Sequence, residues 1–419
     1  MPVASFRILF LSLLLVKSLC KTFLNFINLR HLQKNAGNVP AELQGVVTAE
    51  TLAKIDSYQV ANTTFHMAAD WLGTAFLLFF LFTPLFQVYT GWLEGLALPF
   101  PIRGILFFLI LSWIGWFLNL PLDFYYHFHL EARFGFNKYR IGSWLLDGAK
   151  GLFINFILMV LLLGLVFSIW GNDFGFHWRD VLWGWLATLF LLVILEYLVP
   201  VLIIPFFYKL SAVSDAALKE NITALVQKCG FKVRGIYIAD ESSKSNHANA
   251  LFAGIGKNKT IILFDTLINH YTAAEILGVL AHEIGHGKKK HSIRLMLIQA
   301  VQIFLFILFA SLILSESWPY QAMGIPKIFY SGCFFIFVFF FDGFFFFVQP
   351  FLSWYSRNLE FQADAFSKKF IGSGVPLVST FKKFITAELG NIHPHPWYEF
   401  FYYSHPSLLK RIRALENQN

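Results

Sequence analysis

Seven long apolar runs divide this chain: Phe6 to Ile27, Trp71 to Tyr89, Ile105 to Leu120, Gly151 to Trp170, Val181 to Phe206, Leu295 to Leu314 and Ile328 to Leu352. At 1.5 Å per residue, runs of this length suit helices that cross a hydrocarbon layer about 30 Å thick. The first run sits behind Arg7 and resembles the apolar part of a signal peptide. It is too long for one and lacks a small-residue cleavage site, so it is expected to be a span. Lys17 inside it must face protein or reach an interface, and Pro84 is expected to kink the second span. Glu196 in the fifth span and Asp342 in the seventh call for a wet cavity or a partner cation.

The polar stretches between these runs are patterned too. From Tyr208 to Lys290 the chain reads as globular: a helix over Ala216 to Cys229, then short strands at Gly235 to Ala239, Ala250 to Ala253 and Thr260 to Phe264. Gly256, Lys257 and Asn258 suit a hairpin between the last two strands. Thr272 to His291 then reads as a helix opened by a capping box of Thr272 and Glu275, with Tyr271 and Ile276 as its hydrophobic staple. No breaker separates this helix from span six. The tail is helical, with loop signals at Gly372 to Gly374 and around His393 to Pro396. The expected organisation is a membrane region of spans one to five (1–207), a globular segment with the capped helix (208–294), spans six and seven (295–352) and a C-terminal helical segment (353–419).

Composition agrees with the spans. The hydrophobic share is 57%, Phe alone numbers 51, and mean hydropathy is +0.58, which excludes an ordinary soluble protein. A net charge of +8 raises nucleic acid as a partner, but the cations flank the spans, and no nucleic acid is expected. Arg30, Lys34, Lys54, Arg133, Lys138, Arg140 and Lys150 and the two basic polar segments fall on one side, against Arg7, Arg103, Arg179 and Lys327 on the other. By the positive-inside rule the N-terminus is outside or lumenal, and the globular segment and C-terminus are cytoplasmic. The membrane is a bacterial inner membrane, or the endoplasmic reticulum in a eukaryote. Cys20, Cys229 and Cys333 show neither disulfide nor metal spacing, so any metal falls to His and acidic residues.

The capped helix carries AHEIGHGKKKH. His282 and His286, four residues apart, leave one helical face and can share a zinc ion, and Glu283 beside them can take a proton from an attacking water. A catalytic zinc usually has a third protein ligand. Folding the hairpin of spans six and seven back on itself brings Glu360 to the same bilayer face, with both sites about 12–20 Å beyond it. Asp364, one turn later, can hold a ligand His in one tautomer. His393 and His395 lie in an HPHP turn and are read as loop residues, while His247, His270 and His291 are read as hydrogen-bonding or surface residues. The Lys288 to Lys290 run is read as a membrane anchor.

AHEIGHGKKKH, SRNLEFQADAF, HANALFAGIGKNKTIILFDTL, YYSHPSLLKRIRAL and EARFGFNK, in this order among seven spans, resemble the Ste24-type CaaX prenyl protease 1 family (peptidase family M48) over essentially the whole chain. The resemblance implies one Zn²⁺ per chain on His282, His286 and Glu360, with Glu283 as base and Asp364 behind the ligands. It implies His405 and Arg411 as transition-state residues and Asn249, Ala250, Leu251 and Phe252 as a substrate-pairing edge strand. His405, before Pro406, is expected at a helix cap. The implied fold is mainly α: a barrel of seven transmembrane helices around a chamber, capped by a small α/β zincin-like domain. The implied activity is endoproteolysis of peptide or protein substrates at the membrane, including removal of the C-terminal tripeptide of prenylated proteins. The alternatives are an HtpX-like quality-control protease and a catalytically dead channel or scaffold.

Overall fold

The computed structural model describes residues 3–170, 176–247, 249–253, 258–325 and 330–417, so Gly256, Lys257, Pro326 and Lys327 lie outside the described residues. The fifteen helices named here are α1 (Val3–Lys34), α2 (Ala49–Phe82), α3 (Pro84–Gly95), α4 (Phe100–Phe134), α5 (Ile141–Trp170), α6 (Trp178–Phe207), α7 (Ala216–Lys228), α8 (Asp265–His270), α9 (Ala273–Lys288), α10 (His291–Leu314), α11 (Trp318–Met323), α12 (Tyr330–Ile371), α13 (Val375–Ala387), α14 (Pro396–Tyr402) and α15 (Leu408–Glu416). Strands β1 (Leu210–Ala212), β2 (Lys232–Ala239), β3 (Ala250–Ala253) and β4 (Asn258–Phe264) form one sheet in the order β1-β2-β4-β3. The pairs β1/β2 and β3/β4 are antiparallel and β2/β4 is parallel, so β3 is an edge strand.

Seven helices are long and apolar enough to cross a membrane: α1, α2, α4, α5, α6, α10 and α12. They close into a ring. α1 packs on α2, α2 on α4, α4 on α5, α5 on α6, α6 on α10, α10 on α12, and α12 returns to α1. The most apolar window of α6 buries none of its residues and that of α12 33%, so most of these surfaces face either the bilayer around the ring or the hollow inside it. At the end remote from the globular domain the hollow is closed by Phe6, Phe10, Phe86 and Phe107, with Phe335 packed edge-on to Phe107.

Two expectations about the spans are corrected. Pro84 does not kink a helix: α2 ends at Phe82, Thr83 is extended, and Pro84 opens α3 with the Thr83 hydroxyl accepting from Leu85 N. The residue before a proline is driven from helical geometry, whereas the first helical position needs no N–H. At its other end α2 begins at Ala49, capped by Thr48, so the helix that carries span two starts far earlier than Trp71. Its polar first half leaves the membrane and packs Leu52, Ile55 and Tyr58 against Leu377, Phe381, Ile385 and Ile412 of the C-terminal segment. Lys17 of α1 is paired with Asp342 of α12, and Lys21 with Asp70 of α2 at 2.8 Å, so Asp342 has its partner cation inside the ring wall. Glu196 is exposed and acts electrostatically on Lys259 of β4.

α9 is built as its sequence demands. Glu275 N donates to Thr272 Oγ1 and Thr272 N donates to Glu275 Oε2, while Ser379 and Lys383 of α13 donate to the same carboxylate at 2.6 and 2.7 Å. Burial works against the Glu275 charge, but the bonds from Lys383, Ser379 and Thr272 outweigh it and hold its pKa below the usual carboxylate range. The apolar face of α9, Ile276, Leu280 and Ile284, packs on Leu218 and Ile222 of α7 and Ile261 and Leu263 of β4. Each such side chain contributes about 1.5–3 kcal/mol by burial. The helix does not continue into span six. Lys290 adopts a left-handed conformation, φ +56°, and α10 starts afresh at His291.

Candidate metal centre

His282 and His286 lie on one face of α9, and that face meets the part of α12 which projects beyond the membrane. The approach is close because residue 285 is glycine: a Cβ there would stand 3.1 Å from the Phe366 ring and 3.2 Å from Ala363 Cα, both on α12. Ser367 Oγ of α12 also donates to the Gly278 carbonyl at 2.8 Å. Glu360, one turn before Asp364 on α12, thereby reaches both imidazoles.

The donor groups of the three side chains form a compact triangle, with Glu360 offering one oxygen to each imidazole. His282 Nε2 and His286 Nε2 are 3.1 Å apart, His286 Nε2 and Glu360 Oε1 3.3 Å, and His282 Nε2 and Glu360 Oε2 3.4 Å. Three ligands at about 2.0–2.1 Å from a tetrahedral zinc stand at about this mutual spacing. Glu360 is 4% exposed, and its Oε2 has no hydrogen-bond partner. A buried carboxylate beside two imidazoles, with one oxygen making no hydrogen bond, fits a metal ion, and this is the group of His, Cys, Asp and Glu side chains among the described residues with a metal-holding arrangement.

Behind the triangle, His282 Nδ1 donates to Asp364 Oδ1 at 2.8 Å. Arg411 of α15 donates from Nε to Asp364 Oδ2 at 2.8 Å and from Nη2 to Oδ1 at 2.6 Å. Its Nη1 lies 3.5 Å from Glu360, and its guanidinium rests on Phe381, 4.2 Å from the ring centroid. Arg411 is thus buried, and two of its three nitrogens are engaged by Asp364. His405 stands at the rim, its side chain 63% exposed and its Nε2 3.3 Å from Glu360 Oε1. The cap of α15 is Ser407, so His405 lies two residues ahead of the cap position it was expected to hold. Burial and the neighbouring Arg411 and His282 charges lower the His405 pKa, against the opposing effect of Glu360.

A cavity of about 400 Å³ adjoins the triangle. Its wall brings Glu283, His405 and Arg411 together with Asn249, Ala250 and Phe252 of the edge strand and its approach. Leu251 is on the opposite sheet face, against Ala239, Ile262 and Phe264, as alternation along a strand requires. Glu283 is half-buried. His393 and His395 are far from the triangle: His393 Nε2 meets the Asn38 carbonyl, and His395 caps α14.

One contributor was not assigned to the site from sequence. His291 is 1% exposed and its Nδ1 is 3.0 Å from His286 Nδ1, so it fixes the orientation of the second imidazole as Asp364 fixes the first. The left-handed Lys290 turns it back. A third histidine five residues beyond the motif was the available signal.

Residues 212–419 match peptidase family M48, and residues 28–209 match the CAAX prenyl protease N-terminal region of five membrane helices. CAAX prenyl protease 1 of Saccharomyces cerevisiae is 31% identical, the match covering 94% of this chain and 92% of the yeast protein. The CAAX prenyl protease 1 homolog of Homo sapiens is 30% identical, with 92% and 90% covered. The crystal structure of S. mikatae Ste24p superposes with a TM-score of 0.91 at 27% identity, covering 99% of both chains. Ring, sheet and triangle thus occur in a chain matched along nearly its whole length by proteins of one kind, and it belongs to the CAAX prenyl protease 1 family of membrane metalloproteases in peptidase family M48.

Proposed function

We propose that the chain is a zinc endopeptidase that removes the C-terminal tripeptide of prenylated CaaX proteins, with His282, His286 and Glu360 as ligands of one Zn²⁺. The observation that carries this reading is the donor triangle and the free edge strand meeting in one cavity. Bound zinc supplies a Lewis acid that polarises the scissile carbonyl and acidifies water. Glu283, one residue from His282 and on the cavity wall, takes the proton of the attacking water and delivers it to the leaving amine. The substrate backbone pairs with the open side of Asn249 to Phe252, so binding makes little demand on its side chains. His405 and the remaining Nη1 of Arg411 stabilise the negative charge that develops on the carbonyl oxygen. Asp364 holds His282 and Arg411 in place at once.

The apolar membrane helices that adjoin the cavity suit a substrate whose lipid tail stays in an apolar surrounding. The division into 1–207, 208–294, 295–352 and 353–419, the cytoplasmic placement of the zinc site and C-terminus, and a location in the endoplasmic reticulum of a eukaryote complete the proposal. Purified Glu283→Gln and Glu360→Ala proteins, assayed on farnesylated and unmodified CaaX peptides with metal content measured in parallel, test it. The expected result is a full metal complement without turnover in Glu283→Gln, metal loss in Glu360→Ala, and wild-type cleavage that favours the farnesylated peptide. Metal loss in Glu283→Gln would refute the division of roles, and equal cleavage of both peptides would refute the prenyl preference.

A further inference from the structure

On the metal-centre side of the membrane, a second cavity of about 180 Å³ opens at the seam between α4 and α5. Trp116, Asp123, His127, Tyr139, Trp144 and Asp147 line it. It is smaller than the roughly 300–1,000 Å³ of sites that take drug-sized ligands, and suits a small headgroup. Its two carboxylates differ in their surroundings. Asp147 is compensated by Lys244 at 2.6 Å and Lys150 at 3.2 Å, with the Tyr139 hydroxyl donating at 3.3 Å. Asp123 accepts from Trp144 Nε1 at 2.7 Å, and among the described residues its nearest ionisable partner is His127, at 3.6 Å. No lysine or arginine among the described residues pairs with it. Aromatic rings frame this carboxylate in fixed orientations. Trp144 is held edge-on by Phe124 and Phe128, His127 lies edge-on to Tyr139, and Trp116 packs on the bare Cα of Gly148.

A carboxylate with His127 beside it but no lysine or arginine paired to it, 40% exposed and set among aromatic rings, favours a cation, and three features narrow its kind. Asp123, His127 and Asp147 do not form a metal-holding group, the arrangement found among the described residues being that of His282, His286 and Glu360. The rings offer the faces that recognise organic ammonium ions through their negative π-clouds. The depth is that of lipid headgroups: Asp123 lies about 35 Å along the helix from Phe100, and Trp144 about 39 Å from Trp170, each slightly more than one hydrocarbon thickness.

We propose that this cavity binds the ammonium group of a zwitterionic membrane phospholipid, with Asp123 as counter-ion and Trp116 and Trp144 as aromatic walls. A lipid held there anchors the α4/α5 seam of the ring. The site is separate from the metal centre, and its occupancy does not depend on the proteolytic reading.

The test uses the full chain purified in maltoside detergent. Short-chain phosphatidylcholine, short-chain phosphatidylglycerol, free choline and the neutral tert-butyl isostere of choline are titrated by calorimetry, with the melting temperature as a second readout. Phosphatidylcholine is expected to bind and to raise the melting temperature, phosphatidylglycerol and the neutral isostere are not, and Asp123→Asn is expected to weaken phosphatidylcholine about tenfold or more. Asn keeps an acceptor for Trp144 Nε1, and Trp116→Leu provides an independent loss of one wall should Asp123→Asn fail to accumulate. Choline binding as tightly as the lipid would overturn the lipid as the source. Phosphatidylcholine binding Asp123→Asn and Trp116→Leu as tightly as wild type, or the neutral isostere binding as well as choline, would overturn the site.

Discussion

His247 lies flat on Phe136, with ring centroids 4.7 Å apart and planes 19° from parallel. Phe136 belongs to the loop that leaves α4, and His247 to the segment that leads into β3, so this stack fastens the edge strand to the membrane ring. The same imidazole pairs with Glu388 behind α13 and lies 3.6 Å from Glu131, which also accepts from the Tyr58 hydroxyl of α2 at 2.8 Å. The Thr266 hydroxyl donates to the His247 carbonyl at 2.8 Å. Four parts of the chain distant in sequence are joined here.

This clamp sets a pH dependence. Hydrogen bonding to Glu131 and then to Glu388 raises His247 to about 10 against the cost of burial, whereas the unfolded residue titrates near 6.5. A folded pKa above the unfolded one means the contribution is complete below pH 6.5 and disappears as pH rises through 10. The melting temperature of the purified protein is expected to fall between about pH 7 and 10, with a shallower fall in His247→Gln. Equal slopes in the two proteins would assign the alkaline loss to other groups.

A second prediction concerns Gly285. Its missing side chain lets α9 approach α12, and the atoms a Cβ would meet include the Ala363 backbone, which cannot rotate away. Gly285→Ala is expected to cost about 1–3 kcal/mol by overpacking and to part Glu360 from the two imidazoles. Metal content after dialysis against a graded chelator series checks this, with retention below wild type as the expected outcome. Gly372→Ala, at a glycine with φ +84° and open space around it, is the control, and should lower stability through backbone strain while leaving metal retention intact.

His291 provides the third. Because its Nδ1 faces His286 Nδ1, removing it frees the orientation of a proposed ligand without touching the ligand itself. His291→Ala is expected to weaken metal affinity about 10–100-fold, and His291→Asn, which keeps a polar atom near the same place, to lose less. Identical metal affinity in both variants and wild type would reduce His291 to a packing residue.

These cases show which parts of the design were open to reading. The α9 helix was legible because its determinants are local: the cap, the staple and the His282/His286 spacing all lie within one segment. Glu360 was reachable only through the hairpin of α10 and α12, which turns a gap in sequence into a short distance in space. His291 reads from sequence as a hydrogen-bonding or surface residue, and its place beside His286 depends on the left-handed Lys290, a backbone state that hydrophobic periodicity does not encode. Pro84 is ambiguous in sequence for a similar reason, since proline both kinks helices and opens them, and what decides is whether Thr83 turns extended and caps. β1 is three residues long, too short for alternation to be seen. The His247 clamp depends on Glu131 and Glu388, and neither neighbour is evident until the chain is folded.

The last prediction concerns the charge placed in the first membrane helix. Lys17 pairs with Asp342 across the α1/α12 contact, one closure of the ring, with side chains 19% and 55% exposed. Removing one partner leaves the other charge within the membrane, at a cost on the order of 2.5–3.5 kcal/mol for a fully apolar setting and less here because Asp342 reaches the hollow. Replacing both partners by leucine removes the stranded charge, and exchange of an ion pair for apolar packing is often neutral or stabilising. Lys17→Leu is therefore expected to lower the melting temperature, and Lys17→Leu with Asp342→Leu to recover most of the loss. Peptidase activity reads the second consequence: if the pair only closes the ring, the double variant regains turnover along with stability. A double variant that is stable but inactive would show that a charge at this point of the hollow acts on the substrate, and a single variant as stable as wild type would show that the pair contributes nothing to closure.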